Sequence, residues 1–333
     1  MQKIKVALNG FGRIGRSFTR VIQDYPEIEL VAINELASVE NMAHLLTYDS
    51  THGRFKKEVH VKDGSLHIGG VSVSIYHEPE IENIPWHNHD IDVVVEATGR
   101  FKSRKALHHH IANGSKKVVV SAPAEADIKT IVLGANDHTL SSEDSIVSNA
   151  SCTTNSVAPL LDIVDQLCGV EHAFITTVHS YTSDQHLQDA PHKDFRRGRA
   201  AAESIVPTTT GAAKAITRVL PKFEGRVGGA GIRVPVPDGS LTDITFTVNQ
   251  KVSVEQLNEQ FKRASESGNY APYLGYTSDP IVSRDVIGQN YSCLYDEELT
   301  VVLGKMVKVV GWYDNEIGYS HRLADLIIKL HQL

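Results

Sequence analysis

Cysteine is scarce in this 333-residue chain, and the three present, Cys152, Cys168 and Cys293, stand too far apart for any C-x-x-C pair. Their odd number and spacing argue against a disulfide framework and a thiolate metal site, and point to a reducing compartment. Positive charge is also short: 33 Lys and Arg face 40 Asp and Glu, for a net charge of -7. Phosphate backbones select basic faces, so no dedicated nucleic-acid partner is expected. No apolar run is long enough to span a bilayer, and Met1 to Leu8 enter a strand pattern without the blocks of a secretory signal. The expectation is a cytoplasmic protein with no membrane partner. With 41% hydrophobic and 22% charged residues, no repeat and no low-complexity tract, the chain reads as globular and long enough for two domains.

What is present centres on Ser148-Asn149-Ala150-Ser151-Cys152-Thr153-Thr154-Asn155. The apolar Ser145-Ile146-Val147 reads as a strand leading in, and Val157 to Val164 as the helix leading out, with Ser, Thr and Asn at its start. Cys152 is therefore expected near a helix N-terminus, where free N–H groups and the macrodipole favour a thiolate and lower its pKa. The hydroxyls of Ser151 and Thr153 beside those amides suit an anion or a developing oxyanion.

Upstream, Ile4 to Leu8 followed by Asn9-Gly10-Phe11-Gly12-Arg13-Ile14-Gly15-Arg16 reads as strand, tight turn and helix with a G-x-G-x-x-G turn. A second strand, Glu29 to Asn34, ends at Glu35, about twenty residues past the last glycine, which completes the dinucleotide-binding pattern. Gly10 serves the turn, Gly12 the approach of a pyrophosphate and Gly15 the helix packing. A carboxylate at Glu35 accepts from ribose hydroxyls and repels a 2′-phosphate, so NAD is expected over NADP. Ile91 to Ala97 is a near-continuous apolar strand ending at Thr98-Gly99, and Lys117 to Pro123 is another ending at the same edge. Between Val39 and His77, Glu58 to Val61 and Val71 to Ile75 read as a hairpin around Lys62-Asp63-Gly64. The triplet His108-His109-His110 lies on a predicted helix, where neighbours diverge, so it reads as a solvated face and no metal site is expected.

Past Cys152, Phe174 to Thr182 is a strand carrying His179, followed by a long irregular stretch, 183–207, with Arg196, Arg197 and Arg199. A loop of that length is expected to pack against a cofactor or another subunit. Thr208-Thr209-Thr210-Gly211 opens a second hydroxyl-rich helix start. Alternating strands from Val227 to Val248 and again from Leu299 to Tyr313, then a final helix from Ile317, make this half mixed α+β.

Together these motifs resemble the phosphorylating glyceraldehyde-3-phosphate dehydrogenase family. The resemblance is carried by the glycine turn, Ser148 to Asn155, Thr176 to Thr182, His192-Lys193-Asp194 with Arg196-Arg197-Gly198-Arg199, Thr208 to Lys214, Arg233-Val234-Pro235 and Trp312 to Glu316, in the family's order. It implies an α/β fold: a Rossmann NAD-binding domain over 1–150, completed by the C-terminal helix 317–333, and an α+β catalytic domain with a mixed sheet over 151–316. It implies a homotetramer acting on a sugar phosphate and inorganic phosphate. Cys152 is then the nucleophile and His179 its proton partner. Gly10, Phe11, Gly12, Arg13, Ile14, Gly15, Asn34, Glu35, Thr98, Phe101, Ser121 and Asn315 correspond to cofactor-binding positions. Ser151, Thr153, Thr210 and Gly211 match the site for inorganic phosphate, and Thr182, Asp184 and Arg233 the site for the substrate's phosphate. Asn34-Glu35-Leu36 and Met42 to Leu46 resemble instead the sister family, erythrose-4-phosphate dehydrogenase, which releases its acid with water.

Overall fold

Strand β1 (Ile4–Asn9) is buried along nearly its whole length and passes through the glycine turn into helix α1 (Arg13–Val21). The computed structural model describes residues 3–333, which divide into two units: 3–131, Thr139–Ala150 and Ser320–Leu333 form one, Val132–His138 and Ser151–Tyr319 the other. In the first unit follow β2 (Ile28–Asn34), α2 (Val39–Thr47), β3 (Val59–Lys62), β4 (Ser65–Ile68), β5 (Val71–Tyr76), β6 (Val93–Glu96), α3 (Arg104–Ala112), β7 (Lys117–Val120), β8 (Lys129–Thr130) and β9 (Ile146–Ser148). Their sheet runs β3-β4-β5-β2-β1-β6-β7-β9-β8, parallel from β5 onward. Val93, Val94 and Val95 are all buried, as β-branched residues in a strand covered on both faces should be. Because β1 pairs with β2 on one side and β6 on the other, the strand order reverses there, and the carboxyl ends of β1 and β6 frame a crevice.

The hairpin expected around Lys62-Asp63-Gly64 is a three-stranded meander instead. The chain turns at Asp63-Gly64 into β4, whose Leu66 and Ile68 are buried, and turns again at Gly69-Gly70 into β5, which joins the parallel sheet beside β2. Ser38 and Ser103 cap α2 and α3 by accepting from the nitrogens of Asn41 and Ala106.

The second unit holds α4 (Cys152–Cys168), β10 (Val170–Ser180), β11 (Val206–Thr208), α5 (Ala212–Val219), β12 (Val227–Val234), β13 (Ser240–Val248), α6 (Val254–Glu266), β14 (Leu274–Thr277), β15 (Cys293–Leu303) and β16 (Met306–Tyr313). Its mixed sheet runs β11-β12-β10-β13-β16-β15-β14. Alternate residues of β13 are buried where α4 lies across the sheet, with α5 on β12 and α6 on β15. On β10, β15 and β16, Phe174, Val301, Leu303 and Met306 are exposed. Helix α7 (Ile317–His331) starts on Asp314, whose Oδ1 accepts from the nitrogens of Glu316 and Ile317. Its later turns belong to the first unit, where Tyr25 Oη bonds His321 and Asp325 and Lys117 Nζ donates to the Leu330 carbonyl. Among the described residues no helix is long and apolar enough to cross a membrane.

Candidate active site

The turn after β1 is shaped for close approach. Gly10 sits at φ 100°, and a Cβ there would come within 2.8 Å of the Thr98 nitrogen. A Cβ on Gly15 would collide with the Gly10 carbonyl, so α1 packs directly on the turn, while beside Gly12 the space is open. A cleft of about 240 Å³ opens here, lined by Gly10, Gly12, Asn34, Glu35, Thr98 and Phe101 among others. Phe11, Arg13, Ile14, Gly15 and Ser121 do not line it. Phe11 is buried, Ser121 Oγ donates to the Glu96 carbonyl at 2.9 Å, and Arg13 Nη1 pairs with Asp49 Oδ2 at 2.5 Å. Burial opposes ionisation of Asp49, but the N–H groups of His52 and Thr51 together with Arg13 hold it down at about 2.

Glu35 is fixed rather than free at the cleft. Its Oε2 accepts from the Phe11 nitrogen at 2.7 Å, and its Oε1 from the nitrogens of Leu36 and Ala37 at 2.8 and 3.3 Å. One carboxylate thus ties the end of β2 to the glycine turn. Open backbone at Gly12, a helix start and an anchored carboxylate fit a dinucleotide bound by its pyrophosphate and ribose. Glu35→Gln is expected to raise catalytic efficiency with NADP relative to NAD by about tenfold, the scale of one lost unscreened charge contact. Glu35→Asp keeps the charge but is too short to hold both Phe11 and Leu36, so it should weaken NAD binding while keeping the preference. Steady-state comparison of the two cofactors checks both, and equal efficiency of the unaltered protein with NADP would contradict the assignment.

In the second unit, Ser151 caps α4, accepting from the Thr154 nitrogen at 3.1 Å. The residue before it, Ala150, has φ 57°, a left-handed conformation that an alanine adopts at a cost, and it turns the chain from β9 into α4. Cys152 is consequently the first residue of the helix, half-buried, with Sγ 3.5 Å from His179 Nε2. His179 is the penultimate residue of β10 and is held by the ladder: its register partner on the parallel strand β12 is Arg233. Arg233 Nη1 lies 2.6 Å from His179 Nδ1 and donates to the Ser180 carbonyl at 2.8 Å, the same carbonyl that lies 2.8 Å from Nδ1. Nδ1 can hold its hydrogen toward the Ser180 carbonyl, in which case Arg233 spends its Nη1 hydrogen on that same carbonyl and stands beside Nδ1 as a charge rather than as a donor to it; this tautomer turns the Nε2 lone pair toward the thiol.

Electrostatics correct the expectation of an intrinsically acidic thiol. Burial pushes Cys152 up to about 11 against the pull of Arg233 and Thr153, and burial with Arg233 pushes His179 down to about 3. Neither ion is stable here alone. Burial thus opposes the helix start, and a partner that takes the thiol proton and stays beside the sulfur works with it; Nε2 is the group in reach. Transfer across that contact leaves the net charge of the cluster unchanged.

The remaining residues gather in two places. Thr153 Oγ1 bonds Tyr313 Oη at 2.9 Å, which also bonds Thr177 Oγ1, so this buried tyrosine fixes the first turn of α4; the motif Trp312 to Glu316 contains it without marking this role. Ser151 Oγ bonds Thr154 Oγ1, while Thr210 Oγ1 accepts from the Ala212 nitrogen at the start of α5, where Gly211 is the cap residue. Thr182 Oγ1 donates to Asp184, whose other oxygen pairs with Arg197 Nη1 at 2.6 Å. Thr182 and Arg197 help hold Asp184 below the usual carboxylate range despite burial. Arg197 also donates to Thr208, and Arg199 pairs with Asp189, so these two arginines of the basic cluster are occupied by the 183–207 segment and the strand that follows it. Asn315 Oδ1 accepts from Ser180 and Ser240, leaving its Nδ2 as the remaining donor, and its nitrogen donates to Asp238, a buried acid raised by burial and by Asp314 and Glu316.

The histidine triplet needs correction. His110 is fully buried, on the same face of α3 as Leu107, with Nδ1 accepting from Trp86 Nε1 at 2.9 Å and Nε2 3.2 Å from Glu96 Oε2. Divergence of neighbours on a helix sends two of the three outward and must send the third in.

Comparison with known proteins agrees with this geometry. Residues 4–104 match the family described as "Glyceraldehyde 3-phosphate dehydrogenase, NAD binding domain", and residues 151–315 match "Glyceraldehyde 3-phosphate dehydrogenase, C-terminal domain". Glyceraldehyde-3-phosphate dehydrogenase 1 of Streptomyces avermitilis is 48% identical over 98% of both chains, and that of Geobacillus stearothermophilus 47% over 97% of both. That of Borreliella burgdorferi is 47% identical over 98% of this chain and 99% of its own. With both domain matches in order and nearly the whole length covered, the chain belongs to the glyceraldehyde-3-phosphate dehydrogenase family.

Proposed function

We propose that the chain oxidises glyceraldehyde 3-phosphate with NAD and inorganic phosphate to 1,3-bisphosphoglycerate, by a covalent route through Cys152. The observation that carries this reading is the Cys152 Sγ to His179 Nε2 contact of 3.5 Å at the start of α4. His179 Nε2 takes the thiol proton, the sulfur forms a bond to the aldehyde carbon, and the carbonyl electrons move onto oxygen. That oxyanion is met by the N–H groups of the helix start and takes the proton now on Nε2, which gives the hemithioacetal hydroxyl and returns His179 to its neutral form. Bound NAD supplies the hydride acceptor. His179 removes the hydroxyl proton as the hemithioacetal becomes a thioester. A phosphate oxygen then attacks the acyl carbon, the C–S bond breaks and Cys152 leaves as thiolate.

Arg233 and Thr182, with Asp184 oriented by Arg197, suit the phosphate of the substrate; an anion on Arg233 also draws charge away from His179 Nδ1, which favours protonation of the ring when substrate is present. Ser151, Thr153, Thr210 and Gly211, at two helix starts, suit the attacking phosphate. In this reading the protein works as a cytoplasmic homotetramer. The exposed Phe174, Val301, Leu303 and Met306, and Leu187 and Phe195 in the 183–207 segment, support subunit contacts.

Steady-state assays of both aldehydes, with and without phosphate or arsenate, test it. Oxidation of glyceraldehyde 3-phosphate is expected to require the anion and to exceed erythrose 4-phosphate in kcat/KM. Equal turnover without phosphate and a preference for erythrose 4-phosphate would establish instead that water releases the acid.

A further inference from the structure

A buried carboxylate lies beside the dinucleotide cleft, and among the described residues its partners are hydrogen-bond donors. Glu96, at the end of β6 and 1% exposed, accepts from four donors. Asn9 Nδ2 reaches its Oε2 at 2.7 Å, and the Thr98 nitrogen its Oε1 at 2.9 Å, with Thr98 Oγ1 on the same oxygen. The fourth donor is His110. Trp86 Nε1 can only donate, so the Nδ1 it bonds must accept, and the neutral ring carries its hydrogen on Nε2, facing Glu96 Oε2 at 3.2 Å. The order continues outward. Asn9, having turned its amide nitrogen to Glu96, offers Oδ1 to Asn34 Nδ2 at 2.8 Å, and Asn34 in turn offers Oδ1 to the Glu78 nitrogen at 2.8 Å. Each of these bonds points toward the one carboxylate, while the second hydrogen of Asn34 Nδ2 goes outward to the Glu78 carbonyl at 2.9 Å.

We infer that Glu96, oriented by His110, is a positioning residue for the NAD cleft, setting together with the Glu78 backbone which polar atoms Asn9, Asn34 and Thr98 present to the cofactor. These three line the cleft; Glu96, His110 and Trp86 do not. Thr98, whose hydroxyl hydrogen goes to Glu96 and whose oxygen accepts from the Arg100 nitrogen, is left as an acceptor, and both asparagine amides are locked in one of their two flips. A glutamine at 96 breaks the order. It has one accepting oxygen for two pairs of donors, so its NH₂ must face either Thr98 or the pair Asn9 and His110, and an amide flip or an unmade bond passes along the chain to the cleft wall.

The inference rests on the reading of this cleft as the NAD site, so unaltered protein and variants are titrated together with NAD by calorimetry, alongside thermal unfolding and kinetics. Glu96→Gln is expected to weaken NAD binding by about 10- to 100-fold, the scale of lost bonds to a buried charge, and to raise KM for NAD in proportion, while kcat at saturating NAD changes by less than about threefold. Should Glu96→Gln not fold, His110→Asn, which removes one donor and keeps the carboxylate, should weaken binding by about three- to tenfold. A folded variant with a lowered Tm and unchanged NAD affinity would show that the network only stabilises the sheet and would overturn the inference. Absence of NAD binding by the unaltered protein would overturn both the inference and the reading of the cleft.

Discussion

Cys152→Ala is expected to lower kcat by at least about 10⁴-fold, the scale on which removal of a covalent nucleophile acts, while NAD affinity stays within about twofold. A methyl group forms no bond to the aldehyde carbon, and the route through a thioester closes. Neither remaining thiol can substitute. Cys168 and Cys293 are buried and pushed up by burial to about 11 and about 12, and the Cys168 thiol donates to the Val164 carbonyl. The cofactor cleft lies wholly among residues of the first unit and takes nothing from Cys152, which is why binding and turnover should separate. Calorimetric titration with NAD and single-turnover measurement of aldehyde oxidation check the two halves. Activity within tenfold of the unaltered protein would remove Cys152 from the mechanism.

The parts of this architecture that can be read in the sequence are those where one residue type answers one local demand. The glycine turn is legible because Gly10 and Gly15 each stand where a Cβ would meet backbone, and β6 because only a doubly covered strand tolerates Val93-Val94-Val95. The hydroxyl-rich entry to α4 is legible because an N-cap is a local matter. What escapes depends on distant partners or on burial. Strand β4 is hidden because Ser65 to Ile68 is short and its two buried residues alternate with Ser and His. The contact between Arg233 and His179 follows from the register of β12 on β10, which spacing along the chain does not reveal. The placement of His110 is within reach of the sequence, since Leu107 and His110 are three apart on α3 and share a face, but its partners Trp86 and Glu96 come from elsewhere in the unit. Desolvation is the most consequential of the hidden effects. A helix start announces itself by its hydroxyls, whereas the burial that pushes Cys152 up depends on packing across the whole cluster.

Desolvation of the sulfur also sharpens the expectation for His179→Asn. The loss in kcat should be about 10²–10⁴-fold, the range for a positioned acid-base group. Asparagine keeps a polar atom near Sγ but cannot take a proton, so a thiolate formed in this variant lacks the imidazolium beside it. The sign follows from the burial already noted: without a counter-charge, the free energy that pushes the thiol up acts unopposed except by Arg233 and Thr153, and the alkylation midpoint moves to higher pH. At neutral pH less of the sulfur is then thiolate, and alkylation should slow by at least about tenfold, because a midpoint raised by about one pH step cuts the thiolate fraction by that factor. A pH profile of alkylation, run on the unaltered protein and the variant without substrate, measures this directly. If His179 served only as a proton shuttle later in the reaction, kcat would fall while the profile stayed in place, and the thiolate would then owe its existence to the helix start and Arg233 alone.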